Sequence, residues 1–370
     1  MSSPSMSSPS QSSPKVYPTA VPEVYSPILD QYIRNPEKWR VERRKLELKT
    51  EPILDTNQKR DSLYPIQWPG MWEYYEKHNA MHWVASEVDL SKDDDDWTKK
   101  LDNDGRYYIQ FGLAFFAGSD FIIIESQEKD GNEATILEYN YFNRDKMSRE
   151  DIHSIQYANL LEQYIKDPDL KNELKNAVTR IPAVKKKADW MREFISNGTF
   201  VERLVAGAIM EGIFFSATFC GIFWLRKQGK MPGLCDANEF ISRDEGVHRD
   251  FACYVYRDVI VNKLPEDILV YMIRKAVSIE QEFVISSLPV SLIGMNNEMM
   301  CQYVEYVADH LCMNLIGKRI YNVENPFDWM AAISLKIKTD FFVHRPTAYA
   351  NSTVTASKED NKIRFDDMSF

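Results

Sequence analysis

The chain predicts an all-α, bundle-like body between two irregular tails. Three observations carry this expectation. Apolar residues recur at helical spacing along most of the chain, β-branched runs with alternating period are scarce, and breakers such as Pro69-Gly70, Pro168, Pro232-Gly233 and Pro265 punctuate the periodic stretches. With 370 residues and 44% hydrophobic content there is enough material to bury a large core. Helices packed on helices are the architecture such a pattern allows.

Taken in order, residues 1 to 14 read "MSSPSMSSPSQSSP", a Ser-Ser-Pro triplet recurring every five residues. Such a segment cannot bury enough apolar surface to offset its ordering entropy, so residues 1–20 are expected to be a disordered tail. Ser3, Ser8 and Ser13, each preceding Pro, suit either a phosphorylation-prone tail or a plain solvated extension. Residues 21–345 form the expected helical domain. Its helices are placed at 70–87, 106–128, 149–166, 170–178, 184–225 with a break near Asn197-Gly198, 236–262, 265–287 and 297–316. The acidic run Asp93 to Asp96 reads as a solvated turn or helix start and is assigned no chemistry. Residues 346–370 lack helical period but finish with "IRFDDMSF", in which Ile363, Phe365, Met368 and Phe370 stand in a polar setting.

Composition excludes several function classes. The net charge is −10 with no basic block, which argues against nucleic acid as a partner, since phosphate neutralisation needs clustered Lys and Arg. Five scattered cysteines without a C-x-x-C pair fit neither a disulfide framework nor a zinc site. A reducing compartment, the cytoplasm, is the expectation.

Two stretches are almost long and apolar enough to cross a membrane. Tyr107 to Ile124 contains Asp120 as its only charge, and Leu204 to Leu225 contains Glu211 as its only charge. Both read better as central helices of a large soluble core, because their neighbours are strongly charged amphipathic helices and a core helix can be apolar all round. A buried ionised carboxylate must be neutralised, paired or metal-bound. Two of them on two apolar helices favour a shared cation.

Two further helices carry matching signals. "EDIHSIQY" places Glu150, His153 and Tyr157 at offsets 0, 3 and 7, which share one face at about 3.6 residues per turn. "ISRDEGVHRDF" places Glu245 three residues before His248. One Glu-x-x-His is weak evidence. Two of them, drawn from only six histidines (the others being His78, His82, His310 and His344), are a strong constellation beside two isolated carboxylates. Helix bundles hold two metal ions with one carboxylate from each of two helices and a Glu-x-x-His from each of two others. The ligand set is then Asp120, Glu150, His153, Glu211, Glu245 and His248. Four carboxylates and two imidazoles without a thiolate suit iron or manganese. A purely structural ion-pair network would need an internal Lys or Arg, and neither apolar helix provides one; Arg243 beside Asp244 is the nearest. Phe215 and Phe219 follow Glu211 at +4 and +8, and Ile241 precedes Glu245 by one turn, a dry surround that limits side reactions at a reactive site.

These residues, together with "WVASEVDLSKD" (83–93), "LAFFAGSD" (113–120), "VKKKADW" (184–190), "EGIFFS" (211–216), "MPGL" (231–234), "ISRDEGVH" (241–248), "IGMN" (293–296), "QYVEYVADHL" (302–311) and "VENPFDW" (323–329), resemble the small, radical-generating subunit of class I ribonucleotide reductase in its eukaryotic form. The similarity runs over roughly residues 50 to 345 and the tail. It implies a ferritin-like helical bundle with extra helices, holding two iron ions per chain, with manganese less favoured. It implies that the centre activates O2 and that Tyr157 holds a stable radical sheltered by Phe215, Phe219 and Ile241. Trp83 would lie on the radical route, Asp244 would link Trp83 to His153, and Tyr349 would hand the radical to the large subunit. The final segment, through Phe365 and Phe370, would dock on that subunit. There, ribonucleoside diphosphates would be reduced to deoxyribonucleoside diphosphates at the expense of a thioredoxin- or glutaredoxin-type dithiol. The chain would pair with itself or with a second small subunit. One stretch departs from the pattern: "NRDKMSRED", leading into Glu150, is more charged than the apolar turn of eukaryotic relatives. The alternatives are a di-iron oxidase or desaturase on the same scaffold, which would need neither Tyr157 nor the terminal Phe, and a metal-free accessory paralogue, which loss of a ligand would signal.

Overall fold

The computed structural model describes residues 26–287 and 295–330. Both tails, and with them Tyr349, Phe365 and Phe370, lie outside the described residues. Among those described there are helices and no β-strand, as the periodicity predicts.

The chain enters through α1 (Pro27–Arg34) and α2 (Pro36–Thr50), each with a side-chain N-cap and Pro at its start. Neither is in the sequence expectation, because α2 is held by polar groups rather than an apolar stripe. Its Arg40 meets Glu202 at 3.1 Å, and its Glu47 accepts from Thr199 Oγ1 at 2.8 Å. The helix α3 (Pro69–Ala80) stops short of the expected residue 87. Beyond it the chain passes through an extended stretch and a short turn that carry Trp83 inward to 2% exposure.

Four helices build the centre. The first, α4 (Asn103–Glu133), starts at Asp102, which accepts from the Gly105 amide at 2.8 Å. Next comes α5 (Leu137–Tyr164), which packs along α4 and begins twelve residues earlier than expected. Its added turns bury Asn143, Lys146 and Arg149 where apolar residues would have signalled a helix. After α6 (Pro168–Lys175) and α7 (Pro182–Asn197), the capping box of Thr199 and Glu202 opens α8 (Phe200–Lys227). This helix is interrupted by a wide π-type turn at Met210–Phe214. The fourth is α9 (Pro232–Tyr254). Beside these, α10 (Glu266–Ser287) packs on α11 (Asn297–Ile316), and α11 ends at Gly317 with φ 70°, the left-handed closure glycine permits.

The two long apolar stretches lie in α4 and α8 and are covered by other helices, wholly so in α8. Glycine lets them approach. A Cβ at Gly112 would stand 2.6 Å from Thr218 Cγ2, and one at Gly221 would strike the Tyr108 ring, whose hydroxyl donates to Ala217 O at 2.9 Å. The acidic run is not a solvated turn throughout. Asp93 and Asp96 are buried; Asp93 accepts from the Gly233 and Leu234 amides at 2.8 Å and Asp96 from Met231 N at 2.7 Å. These carboxylates therefore cap the N-terminus of α9 from across the fold.

Candidate metal centre

The four helices carry the six predicted ligands, Asp120 on α4, Glu150 and His153 on α5, Glu211 on the wide turn of α8, and Glu245 and His248 on α9, and bring four of them, all but Asp120 and His153, into one group. All six are buried. One ligand atom each from Glu150, Glu211, Glu245 and His248 falls within 4.8 Å of the others. A π-type turn is the usual means of re-aiming one side chain without ending a helix, and here the side chain is Glu211.

The histidines are oriented from behind. His153 Nε2 lies 3.1 Å from Asp244 Oδ2. Asp244 is held down at about 2 despite burial, by the hydrogen bond from His153 and the charges of His153 and Arg149, so it takes the proton on Nε2. That leaves Nδ1 facing Glu150 Oε2 and Glu245 Oε1, each at 3.1 Å. His248 is arranged in the same way by residues the sequence reading left aside. Asp145 Oδ2 lies 2.6 Å from His78 Nδ1, and His78 Nε2 lies 2.9 Å from His248 Nε2. This relay puts the His248 proton on Nε2 and turns Nδ1 toward Glu150 Oε1 and Glu245 Oε2 at 3.2 and 3.3 Å. Carboxylate-backed imidazoles of this kind are the standard support of metal-ligating histidine.

With both imidazoles neutral, each Nδ1 lone pair would meet carboxylate oxygens across 3.1 to 3.3 Å, an arrangement of acceptor against acceptor that a bound cation resolves. Asp120 Oδ2 and Glu211 Oε2 are also buried without a hydrogen-bond partner. Without a cation the protons make up the deficit. Burial and the Glu150 charge push Asp120 and Glu245 well above the carboxylate range. Burial lifts Glu211 to about 7 against the opposing Lys146 charge. Hydrogen bonds to Asp244 and Glu150 hold His153 protonated against its burial, while burial keeps His248 neutral, at about 3. The residues fit a bound metal.

The expectation that Arg243 is the cation nearest the centre is overturned. Lys146 and Arg149 are buried on α5, one turn and one residue before Glu150. The Lys146 ammonium bonds Glu211 Oε1. Arg149 Nε stands 3.6 Å from Asp244 Oδ2, and its other nitrogens reach His82 Nδ1 at 3.1 Å and His78 O at 3.3 Å. Arg243 is peripheral, 4.0 Å from Asp244. Helix arithmetic could have found Lys146, since offsets of −4 and 0 share a face.

Tyr157 is buried and its hydroxyl has no partner. Burial, then the charges of Asp120 and Glu245, push the phenol far above its ordinary value. The ring stacked on it is that of Phe116, at 4.7 Å and 14°, a residue the sequence reading passed over. Phe116 in turn meets Phe215 at 5.5 Å and Phe219 at 5.1 Å, and Ile241 is buried on α9. Trp83 donates from Nε1 to Asp244 Oδ2 at 2.7 Å and lies over the His153 ring at 6.0 Å. Trp83, Asp244 and His153 therefore form one hydrogen-bonded line into the centre.

Comparison with known proteins gives one consistent answer. Residues 60–326 match the family model described as ribonucleotide reductase, small chain. The sequence is 47% identical over 322 residues to a ribonucleoside-diphosphate reductase small chain of Arabidopsis thaliana, covering 86% of this chain and 96% of that one. It is 46% identical over 315 residues to the small chain of Trypanosoma brucei brucei, covering 85% and 93%. Among solved structures, that of the ribonucleotide reductase Rnr4 homodimer from Saccharomyces cerevisiae superposes with a TM-score of 0.74 at 32% identity, covering 84% of this chain and 98% of that one.

Proposed function

The chain belongs to the ribonucleotide reductase small-chain family, and from that premise we propose that its buried centre holds two iron ions and that Tyr157 stores the radical. It is a small subunit of ribonucleoside-diphosphate reductase, an oxidoreductase that works with a large subunit. The fold is the ferritin-like bundle of its structural neighbours.

The observation that carries the proposal is the Tyr157 hydroxyl, buried and unbonded one turn beyond His153. A phenol without a hydrogen-bond acceptor and far from ionisation keeps its proton until an oxidant takes proton and electron together. A di-iron centre, when bound, supplies that oxidising power from O2, while the protein positions and shields the site. Phe116 covers one face of the phenol, and Phe215 and Phe219 close round Phe116, with Ile241 expected on the same side; this apolar wall excludes water that would quench a radical. Asp244 joins Trp83 to His153, and this line is the proposed path by which the oxidising equivalent leaves. Tyr349 would carry it across the subunit boundary, and the segment ending in Phe365 and Phe370 would dock on the large subunit, where ribonucleoside diphosphates are reduced with a dithiol as reductant. The mixed carboxylate and imidazole donors suit iron or manganese, and the family resemblance favours iron. The five cysteines are all free and buried, which supports a cytoplasmic location. The Rnr4 homodimer supports self-pairing.

Iron-loaded protein exposed to oxygen should show a tyrosyl radical by electron paramagnetic resonance. Tyr157→Phe should keep its metal and lose the signal. A metal-replete wild-type chain without a radical would refute the assignment. Deleting residues 363–370 should leave the radical intact and abolish binding to the large subunit; unchanged affinity would refute the docking role.

A further inference from the structure

Lys146 has no part in the chemistry described above, yet it lies at the heart of the centre. It sits four residues before Glu150 on the same face of α5, is 4% exposed, and its ammonium is bonded to Glu211 Oε1. Glu211 is one of the four residues whose ligand atoms cluster within 4.8 Å, so a carboxylate of that cluster already holds, through Oε1, a cation that belongs to the chain. Four carboxylates can balance two divalent ions. With an ammonium among them, two divalent ions leave one positive charge in excess in a buried site, where uncompensated charge is costly.

A cavity lies beside the ammonium. Lys146 lines a small cavity together with Gln127, Asp130, Arg203 and His248. Asp130 is buried there, bonded to Arg203 Nε at 2.8 Å through Oδ1. An unbranched lysine side chain has the rotatable bonds to turn its ammonium from Glu211 toward this cavity. A fixed guanidinium fork could not do so as readily.

We propose that Lys146 is a tethered counter-ion that holds Glu211 in the metal-free centre and must be displaced before the metal position served by Glu211 can fill. The chain therefore stays folded without metal, and its two metal positions load unequally. The position that draws on Glu211, Glu245 and His248 is the weaker one, because its ligand must first be released. The inference rests on the metal reading given above and extends it to how many ions the centre holds at a given metal concentration.

The test is an anaerobic titration of the full-length, metal-free chain with manganese(II) alone, following free manganese by electron paramagnetic resonance, alongside melting of the metal-free protein. The wild type should bind one ion per chain tightly and a second at least tenfold more weakly. Lys146→Gln should tighten the weaker class at least tenfold and lower the metal-free melting temperature. Lys146→Arg, which keeps the charge, should retain a metal-free melting temperature close to the wild type. Two equal classes in the wild type, or a Lys146→Gln isotherm identical to it, would overturn the proposal. If Lys146→Gln folds only when manganese is added, the counter-ion role is supported directly. If neither form binds manganese, the metal reading of the proposed function fails instead, and the metal-free melting comparison still decides the counter-ion role: an unchanged melting temperature overturns it.

Discussion

Asp244→Asn is the most informative single change, because one carboxylate oxygen serves three neighbours. Asp244 Oδ2 accepts from Trp83 Nε1 at 2.7 Å, meets His153 Nε2 at 3.1 Å and stands 3.6 Å from Arg149 Nε. The side chain is fully buried. An amide oxygen set in the Oδ2 place still accepts from Trp83 and His153, but it carries no charge and holds the Nε2 proton less firmly. An NH2 group set there would face the Trp83 N–H and drive the imidazole proton to Nδ1, the atom turned toward Glu150 and Glu245. Loss of such a supporting group lowers metal affinity by about 10- to 100-fold. The charge change also strips Arg149 of its carboxylate. Breaking a buried ion pair from one side costs about 3–5 kcal/mol, and the lower end applies because Arg149 keeps His82 and the His78 carbonyl. Denaturant melts of the metal-free chain should thus show a loss of about 3 kcal/mol. The double variant Asp244→Asn with Arg149→Met should recover much of that loss without recovering metal affinity. An Asp244→Asn protein with wild-type stability and wild-type metal affinity would refute both halves of the reasoning.

Other expectations follow from the same interior. Lys187 and Glu280 form a fully buried pair at 2.6 Å, and Lys187 also donates to Phe214 O at 2.7 Å; Lys187→Met alone should cost about 3–5 kcal/mol and the paired Lys187→Met, Glu280→Leu change much less, by denaturant melts. Burial lifts Glu280 from 4.5 to about 7, so the folded chain binds a proton the unfolded chain has released across that window. This contribution to stability falls as pH rises from about 4.5 to about 7, and Glu280→Gln should flatten that part of the stability–pH profile; an unaltered slope would assign it elsewhere. Because the Tyr157 hydroxyl is buried without a partner and an unmade bond costs about 1–3 kcal/mol, Tyr157→Phe should melt at or above the wild-type temperature; a clear loss would reveal a partner for the hydroxyl.

The helical fold and the grouping of Glu150, Glu211, Glu245 and His248 were legible because they depend on spacing. Residues three or four apart share a face whatever lies between them, and a lone carboxylate on an apolar helix stands out. The helix α11 was placed at 297–316 for the same reason, and the structure has it at Asn297–Ile316. What stayed hidden depends on partners far apart in the chain. The face of α2 buried against Glu202 and Thr199 carries Arg40 and Glu47, so no apolar period announces it, and α1 buries only Leu29 and Tyr32 within eight residues. Asp93 looks like any surface acid until the start of α9 is brought to it. Phe116 could not be told from its neighbours Phe115 and Phe111 without knowing which of them meets Tyr157. Lys146 and Arg149 form a middle case, visible as charge just before Glu150 but unassignable without knowing that this face of α5 turns inward; His78, far off on α3, gives no such sign.

The wide turn at Met210–Phe214 has a consequence for how this chain can change its length. It holds one more residue per turn than the helix on either side, and the carbonyls near it are taken up by Ser216 Oγ on Ile213 O at 2.7 Å and by Lys187 on Phe214 O. Removing one residue from it would let α8 close into regular turns with its two halves facing as before, since the wide turn is what absorbs the extra residue. Glu211, the side chain that turn re-aims, would then leave the cluster. Substitutions here keep the turn, whereas a deletion abolishes it. Among functional relatives, insertions and deletions should therefore collect in the connections between helices and be absent from these five positions, however freely the residues themselves vary.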